Sequence, residues 1–186
     1  ASILSNAEAA QTILRREPVD LAELRAICDD IVAEDHRAAE VIRRLGALFK
    51  RGEPSLVPLD VNELVRDTLE LTRTNLLTRH VTPLTRLAPD LPKIDGDRVQ
   101  LQQLLLNLIV NAADAMEAMP EAERKLTLST ALADAQIQVC VADSGPGVPA
   151  DMVNNVFDPF WTTKAGGMGI GLAICRSIAL AHRGSL

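Results

Sequence analysis

The densest run of apolar positions lies between Gln102 and Met116, QQLLLNLIVNAADAM. Leu104, Leu105, Leu106, Leu108, Ile109 and Val110 leave it almost no polar face, a pattern that predicts a helix packed on more than one side. Gln103, Asn107, Asn111 and Asp114 interrupt the run at spacings of four, four and three, which aligns them along one line of helix surface. A buried amide left unpaired costs on the order of 2–7 kcal/mol, so these side chains need partners. Neighbouring backbone satisfies a lone Asn in the ordinary case. Two Asn one turn apart, with an acid after them, read instead as the wall of a polar pocket. Amide side chains offer neutral carbonyl oxygens and N–H donors, which suits a hydrated hard cation and the phosphates it accompanies.

A second pattern occupies the N-terminal third. Ile3, Ala7, Ala10 and Leu14 recur at helical spacing, and Glu17-Pro18 breaks the run. Leu21, Leu24, Cys28, Ile31, Asp35, Ala38, Ile42, Leu45 and Phe49 then carry the rhythm on, with Asp35 alone breaking the seam. Two helices joined by a short turn pack antiparallel, and a sustained 4–3 alternation asks for a coiled-coil-like partner. The hairpin cannot bury this stripe alone. A four-helix bundle made by two copies is the predicted solution, with folding onto the chain's own second domain as the alternative. Arg51-Gly52-Glu53-Pro54 ends the long helix and marks a boundary, giving domains 1–53 and 54–186.

Beyond the boundary, Asp60 is expected to cap a helix over 61–79, with Glu63 as its capping-box partner. Strands are expected over 81–87, over 125–132 and from Ile137 to Asp143, and a last helix over 170–182. Asp95-Gly96-Asp97 leads into the apolar helix. Strands and helices mix without a βαβαβ rhythm, so the second domain is expected to be an α+β sandwich with helices on one face. Ala1 opens inside a helical pattern and Leu186 closes where a strand could begin, so the chain is expected to be part of something longer.

Composition narrows the function. A length of 186 residues fits one or two domains, and 47% hydrophobic with 24% charged residues is ordinary for a folded protein. Three Phe, one Trp and no Tyr offer little for stacking on bases, and a net charge of −6 argues against a nucleic-acid surface. Cys28, Cys140 and Cys175 show no CxxC spacing and read as buried small hydrophobes in a reducing compartment. No apolar run reaches the length of a membrane span and no signal peptide is visible, so no direct membrane contact is expected of this segment.

Three further stretches carry chemistry. The strand ending at Val141 runs into Asp143-Ser144-Gly145-Pro146-Gly147. A carboxylate there, followed by glycines that let backbone approach, suits a donor group such as the amine of adenine; a type II turn explains the same residues equally well. Phe157-Asp158-Pro159-Phe160-Trp161-Thr162-Thr163-Lys164 joins aromatics to two hydroxyls and a cation. Gly166-Gly167-Met168-Gly169-Ile170-Gly171-Leu172 opens the last helix, where free N–H groups and the helix dipole favour an anion. No GK[ST] follows and no strand closely precedes, which excludes Walker and Rossmann loops.

Taken in order, these stretches resemble the catalytic domain of sensor histidine kinases, in the superfamily that includes DNA gyrase, heat-shock chaperone and mismatch-repair ATPases. NLIVNA resembles the N box, DSGPG the G1 box, FDPFWTTK the F box and GMGIGLAI the G2 box. SNAEAA and RAAEVIRRLGALFKRGEP resemble the two helices of the dimerisation and phosphotransfer domain. The implied architecture is a helical hairpin, half of a dimeric four-helix bundle, followed by a Bergerat-type (GHKL ATPase) α+β sandwich. The implied ligands are ATP and Mg²⁺. Asn111 would ligate Mg²⁺ and Asn107 would support phosphates or water. Asp143 would accept from the adenine amine, with Gly145 and Gly147 shaping that pocket. Lys164 would reach the terminal phosphates, and Gly167, Gly169 and Gly171 would wrap them. Phe160, Thr163, Met168, Ile170 and Leu172 complete the implied nucleotide contacts, with Asn107, Asn111 and Lys164 as the catalytic set.

Asp114 stands where other members often place a basic residue, and its role stays open. The family's phosphoaccepting His sits in a motif like HELNQPLAAI upstream of SNAEAA. His36, His80 and His182 occupy no such motif. His36 reads as a solvated or interhelical residue. His182 matches the His of a terminal HGG, with Arg183 replacing a Gly, and reads as structural; relatives continue with about two more strands. The implied function is transfer of the ATP γ-phosphoryl to a His outside the chain and then to an Asp of a response-regulator receiver domain. The implied location is the cytoplasm, free or as part of a membrane-bound sensor. A non-kinase ATPase of the superfamily and a degenerate nucleotide-binding or dimerisation module are the alternatives.

Overall fold

The computed structural model describes residues 3–15, 20–32, 55–153, 155–162 and 168–186. The chain separates into two units, Ala1–Lys50 and Arg51–Leu186. In the first, α1 spans Ile3–Ile13 and α2 covers 21–32 of the described residues. Asp20 starts α2 by accepting the backbone N–H groups of Ala22 and Glu23, each at 3.0 Å. Of the predicted seam residues that are described, Ile3, Leu14, Leu21 and Cys28 are exposed while Ala7, Ala10, Leu24 and Ile31 are partly buried, and Ile13 rather than Leu14 is the fully buried residue. A helix face is buried only where another element covers it. The rest of the seam, from Asp35 to Phe49, and the expected boundary at Arg51–Pro54 lie outside the described residues.

The second unit runs β1 (Val57–Leu59), α3 (Val61–Thr78), β2 (Thr82–Leu87), β3 (Ile94–Gly96), α4 (Arg98–Ala115), β4 (Lys125–Ala133), β5 (Gln136–Asp143) and α5 (Gly171–Ala181). β1 pairs antiparallel with β3, while β2 pairs parallel with β4, which pairs antiparallel with β5. α3 and α4 pack on this sheet, and α5 packs on α4. The expected α+β sandwich is therefore present. β1 and β3 were not anticipated, because three residues are too few to show an alternation.

Two aspartates set where the long helices begin. Asp60 accepts from Glu63 N at 3.0 Å, as the cap pattern predicts. The reciprocal half of the capping box is not made; Glu63 instead lies 3.7 Å from Arg98, whose closer partner is Asp67. Asp97 accepts from Val99 N and Gln100 N at 3.0 and 3.1 Å, so α4 starts at Arg98, directly after the Asp95-Gly96-Asp97 lead-in that the sequence reading gave it. α4 buries Leu105, Ile109, Ala112 and Ala113 against α3 and the sheet, where they meet Val65, Leu126 and Leu128. At 100° per residue, the line Gln103–Asn107–Asn111–Asp114 falls on the opposite side of the helix.

Cross-strand register explains one correction. Cys140 pairs with Ser129, whereas Leu128 and Thr130 pair with Val141 and Val139. Leu126, Leu128 and Thr130 point to the helices, so Cys140 points to the uncovered face and is exposed. Cys28 is exposed as well, and only Cys175 is buried as expected.

His182 ends α5 in a structural role, as the sequence implied. Its Nε2 accepts from Asp97 N at 2.9 Å and its Nδ1–H donates to Ile178 O at 2.8 Å, tying the end of α5 to the start of α4. Arg183 adopts φ +57, the left-handed exit conformation that costs a glycine least.

A buried polar triad joins α3 to the sheet. Asn62 Nδ2 donates to Ala88 O at 2.7 Å, Thr130 Oγ1 donates to Asn62 Oδ1 at 2.8 Å, and Ala88 N donates to Thr130 Oγ1 at 3.0 Å. Thr130→Val is expected to strand both Asn62 Oδ1 and Ala88 N, at about 1–3 kcal/mol for each unsatisfied group. Urea denaturation checks this, and Thr130→Ser should retain most of the stability. A loss below about 0.5 kcal/mol in the Val variant would mean the triad contributes nothing.

Candidate functional site

Three contacts fix how α5 lies along α4. At its start, a Cβ on Gly171 would sit 3.6 Å from Asn111 Nδ2. One turn on, Cys175 Sγ donates to Leu104 O at 3.7 Å, and at the far end His182 meets Asp97. Rising numbers in α5 meet falling numbers in α4, so the two helices run antiparallel. The N-terminus of α5 therefore opens beside Asn111.

That N-terminus is unlike those of α3 and α4. Ile170, its N-cap, makes no side-chain capping bond, whereas Asp60 and Asp97 cap α3 and α4. The first-turn N–H groups of a helix have no intrahelical acceptor, so they remain donors with the positive end of the dipole behind them. Asn111 is partly exposed, and its amide makes no hydrogen bond among the described residues. Free amide and free N–H groups thus converge on one point, which suits an anion and a hard cation together.

Asn107 sits deeper in the same seam. Its Nδ2 is buried without a hydrogen-bond partner, and its amide lies beside Cys175. Desolvation by burial raises the Cys175 thiol from about 9 to about 11, against smaller opposing effects led by the Asn107 amide.

The G1 stretch closes the other end. Asp143 finishes β5, and its Oδ1 accepts from Gly145 N at 2.8 Å. This side-chain turn leaves the second carboxylate oxygen available as an acceptor. A Cβ on Gly145 would lie 2.6 Å from Asp143 Oδ1 and 3.3 Å from Ala115 Cβ, so a larger residue there would push the Asp143 carboxylate out of its present position. Gly147 adopts φ +74 with open space around it. A cleft of about 350 Å³ lies here, lined by Ala115, Ala118, Met119, Ser144, Gly145 and Pro146. Asn111 and Ala115 are one turn apart on α4. The helix therefore has a carboxylate at one side of that turn and N–H donors at the other.

The F and G2 stretches are pinned together. Phe160 N donates to Gly169 O at 2.9 Å, and both residues have positive φ, +70 and +65. A Cβ on Gly169 would meet Trp161 O at 2.3 Å, so the contact requires glycine. Phe160 is exposed, Met168 and Leu172 are half-buried, and Ile170 turns its side chain into the core. The Arg176 guanidinium lies 5.9 Å from the centroid of the Phe157 ring. Thr163, Lys164 and Gly167 lie outside the described residues.

Sequence reasoning left Asp114 open. The structure pairs it with Arg79, the C-cap residue of α3. No local signal marks such a pair, because 35 residues separate its members. Among the described residues, no group of three His, Cys, Asp or Glu side chains could hold a metal ion by itself. No helix of the described residues is long and apolar enough to cross a membrane.

Comparison with known proteins adds to this geometry. Residues 96–186 match the family model of the histidine kinase-, DNA gyrase B-, and HSP90-like ATPases. The chain is 38% identical over 189 residues to the sensor histidine kinase TmoS of Ectopseudomonas mendocina, a match covering all of this chain and 19% of that protein. Among solved structures, the catalytic domain of the histidine kinase ThkA is 30% identical with a TM-score of 0.58, covering 67% of this chain and 79% of that one. Full-length ShkA in complex with AMPPNP is similar in fold, with a TM-score of 0.70 at 24% identity over 97% of this chain and 41% of that one.

Cys175 provides a pH test of the α4–α5 seam. Its folded value of about 11 exceeds the ordinary 9.0, so the folded state holds the proton more tightly. The corresponding stability is fully present below pH 9 and is lost as pH rises towards 11, in total about 2–3 kcal/mol. Urea midpoints at pH 8 and 11 should therefore fall further for the wild type than for Cys175→Val. Equal falls would contradict burial of the thiol.

Proposed function

Because this chain belongs to the sensor histidine kinase family, we propose that it is the ATP-binding kinase core of such a sensor. In this reading the ATP γ-phosphoryl passes to a His on the dimerisation helix, outside this chain, and then to an Asp of a response-regulator receiver domain. The chain spans only 19% and 28% of the length of two curated relatives it matches, so the activity of the whole protein is part of this proposal. The observation that carries it is the approach of Asn111 to Gly171 at the uncapped start of α5.

The residues fit the ligands in their chemistry. The amide of Asn111, without a protein partner among the described residues, offers the neutral oxygen that Mg²⁺ accepts alongside phosphate oxygens and water. Bound there, Mg²⁺ would neutralise charge on the β- and γ-phosphates. Asn107 supports the phosphates or their water, and the N–H groups that follow Ile170 receive phosphate oxygens. Asp143 accepts from the adenine amine through the oxygen that Gly145 leaves open, and Gly147 lets the backbone turn away. Thr163, Lys164, Gly167, Met168, Gly169 and Leu172 wrap the triphosphate, with Phe160 and Ile170 at the stems of that segment. Phosphoryl transfer asks chiefly for alignment and charge neutralisation, which amides, one Lys and helix-end donors provide. The two domains are taken as 1–53 and 54–186. The N-terminal hairpin pairs two copies in a four-helix bundle, and the segment works in the cytoplasm.

The decisive experiment extends the chain upstream through an acceptor helix of the HELNQPLAAI type and supplies γ-labelled ATP with Mg²⁺. Acid-labile, base-stable label on the protein is expected. Phosphate release from unlabelled protein would favour an ATPase, and absence of nucleotide binding would favour a degenerate module. Asp143→Ala should abolish nucleotide binding, and Asn111→Ala should weaken binding in Mg²⁺ far more than in chelator. Unchanged affinity in the Asp143 variant would remove the adenine assignment.

A further inference from the structure

Asp114 shares the polar line of α4 with Asn107 and Asn111 and stands three residues beyond Asn111, about 4.5 Å further along the helix axis. A bare carboxylate at that place would repel a polyphosphate. It is not bare: the Arg79 guanidinium, projecting from the C-cap of α3, pairs with it. We propose that Arg79, aimed by Asp114, is a nucleotide-contacting residue that donates to the phosphate chain. This rests on the ATP reading above.

The backbone of Arg79 is held at both of its polar groups. Its N–H donates to Leu77 O, and its carbonyl accepts from Arg124 Nη1 at 2.7 Å. Arg124 is itself fixed by bonds to Glu117 O at 2.9 Å and to Met119 O at 2.9 and 2.8 Å. The Arg79 side chain therefore leaves a rigid base towards a rigid partner. A guanidinium has five N–H donors, and Asp114 is the one hydrogen-bond acceptor that Arg79 meets among the described residues. The remaining donors form a planar fork, which matches phosphate oxygens. Both side chains are about 70% covered, at 30% and 27% exposure, so solvent screens the charges only in part. Neighbouring arginines are committed elsewhere: Arg98 to Asp67, Arg124 to backbone carbonyls, and Arg176 to Phe157. Arg79 is thus the cation with spare donors on the polar line of α4 among the described residues.

The test measures the affinity of the chain for Mg·ATP, Mg·ADP and adenosine by calorimetry. Variants are Arg79→Gln, Arg79→Lys, Asp114→Ala and the double Arg79→Gln/Asp114→Ala. Arg79→Gln should weaken ATP and ADP at least tenfold while adenosine changes less than twofold, which also shows that the variant is folded. Arg79→Lys should recover part of the loss, because charge returns without the fork. The double variant should stay within threefold of Arg79→Gln. Recovery of wild-type affinity in the double variant would overturn the inference, since Arg79 would then only cancel the Asp114 charge. Equal loss for adenosine and ATP would overturn it too, by showing a purely structural role. If the wild type binds none of the three ligands, the ATP reading fails and takes this inference with it.

Discussion

The constraint on which the site depends is the close antiparallel approach of α5 to α4. It begins at Gly171 beside Asn111, continues at Cys175 beside Leu104, and ends where His182 takes the Asp97 N–H. Any other alignment would move the uncapped N-terminus of α5 away from the asparagines. His182 acts at the opposite end from the chemistry, yet it sets the register, because a helix pinned at its last residue cannot slide along its neighbour. The core on the far side of α4 gives this arrangement its stability, with Ile109 and Met116 fully buried. One helix therefore presents a packed apolar face to the sheet and a polar line to the nucleotide side.

The site retains features that cost stability. Asn107 Nδ2 is buried without a partner, a state that costs on the order of 1–3 kcal/mol unless something satisfies it. Gly145 and Gly169 each occupy a place where a Cβ would collide with neighbouring atoms, and Phe160 takes a left-handed conformation unusual for an aromatic residue. α5 forgoes the cap that both α3 and α4 have. The unpartnered Asn107, the crowded glycines and the uncapped helix start all lie along α4, α5 and the loops that meet them, whereas left-handed non-glycine residues also occur away from the site, at His80, Asp90, Asp134 and Ala135. Such a concentration fits a surface built to be completed by a ligand.

Much of this was legible in the sequence wherever the signal was local. The 3.6-residue rhythm of α4, the alternation of β5, the Asp60 cap and the order of the four glycine- and asparagine-bearing stretches all rest on neighbours within a few residues. Features that depend on distant partners were not legible. The Asp114–Arg79 pair joins α4 to α3, and the Asn62–Thr130–Ala88 triad joins three elements. Cys140 reads as an inward apolar position until the register with Ser129 shows which face of the sheet the helices cover. The start of α4 is a local feature by contrast, since the Asp95-Gly96-Asp97 lead-in ends in the residue that caps the helix at Arg98. The Glu63 capping box was half right, since Arg98 competes for its carboxylate.

The central claim is that Asn111 and the start of α5 hold the same phosphate-bearing ligand. The most direct measurement is a Mg·ATP titration followed by NMR, observing the Asn111 side-chain amide and the backbone amides of Gly171, Leu172 and Ala173. Both sets should shift along one saturation curve, and the Asn111 response should shrink when the metal is chelated. Asn111 signals that stay fixed while the α5 amides saturate would contradict the claim, as would no shift in either set at saturating nucleotide.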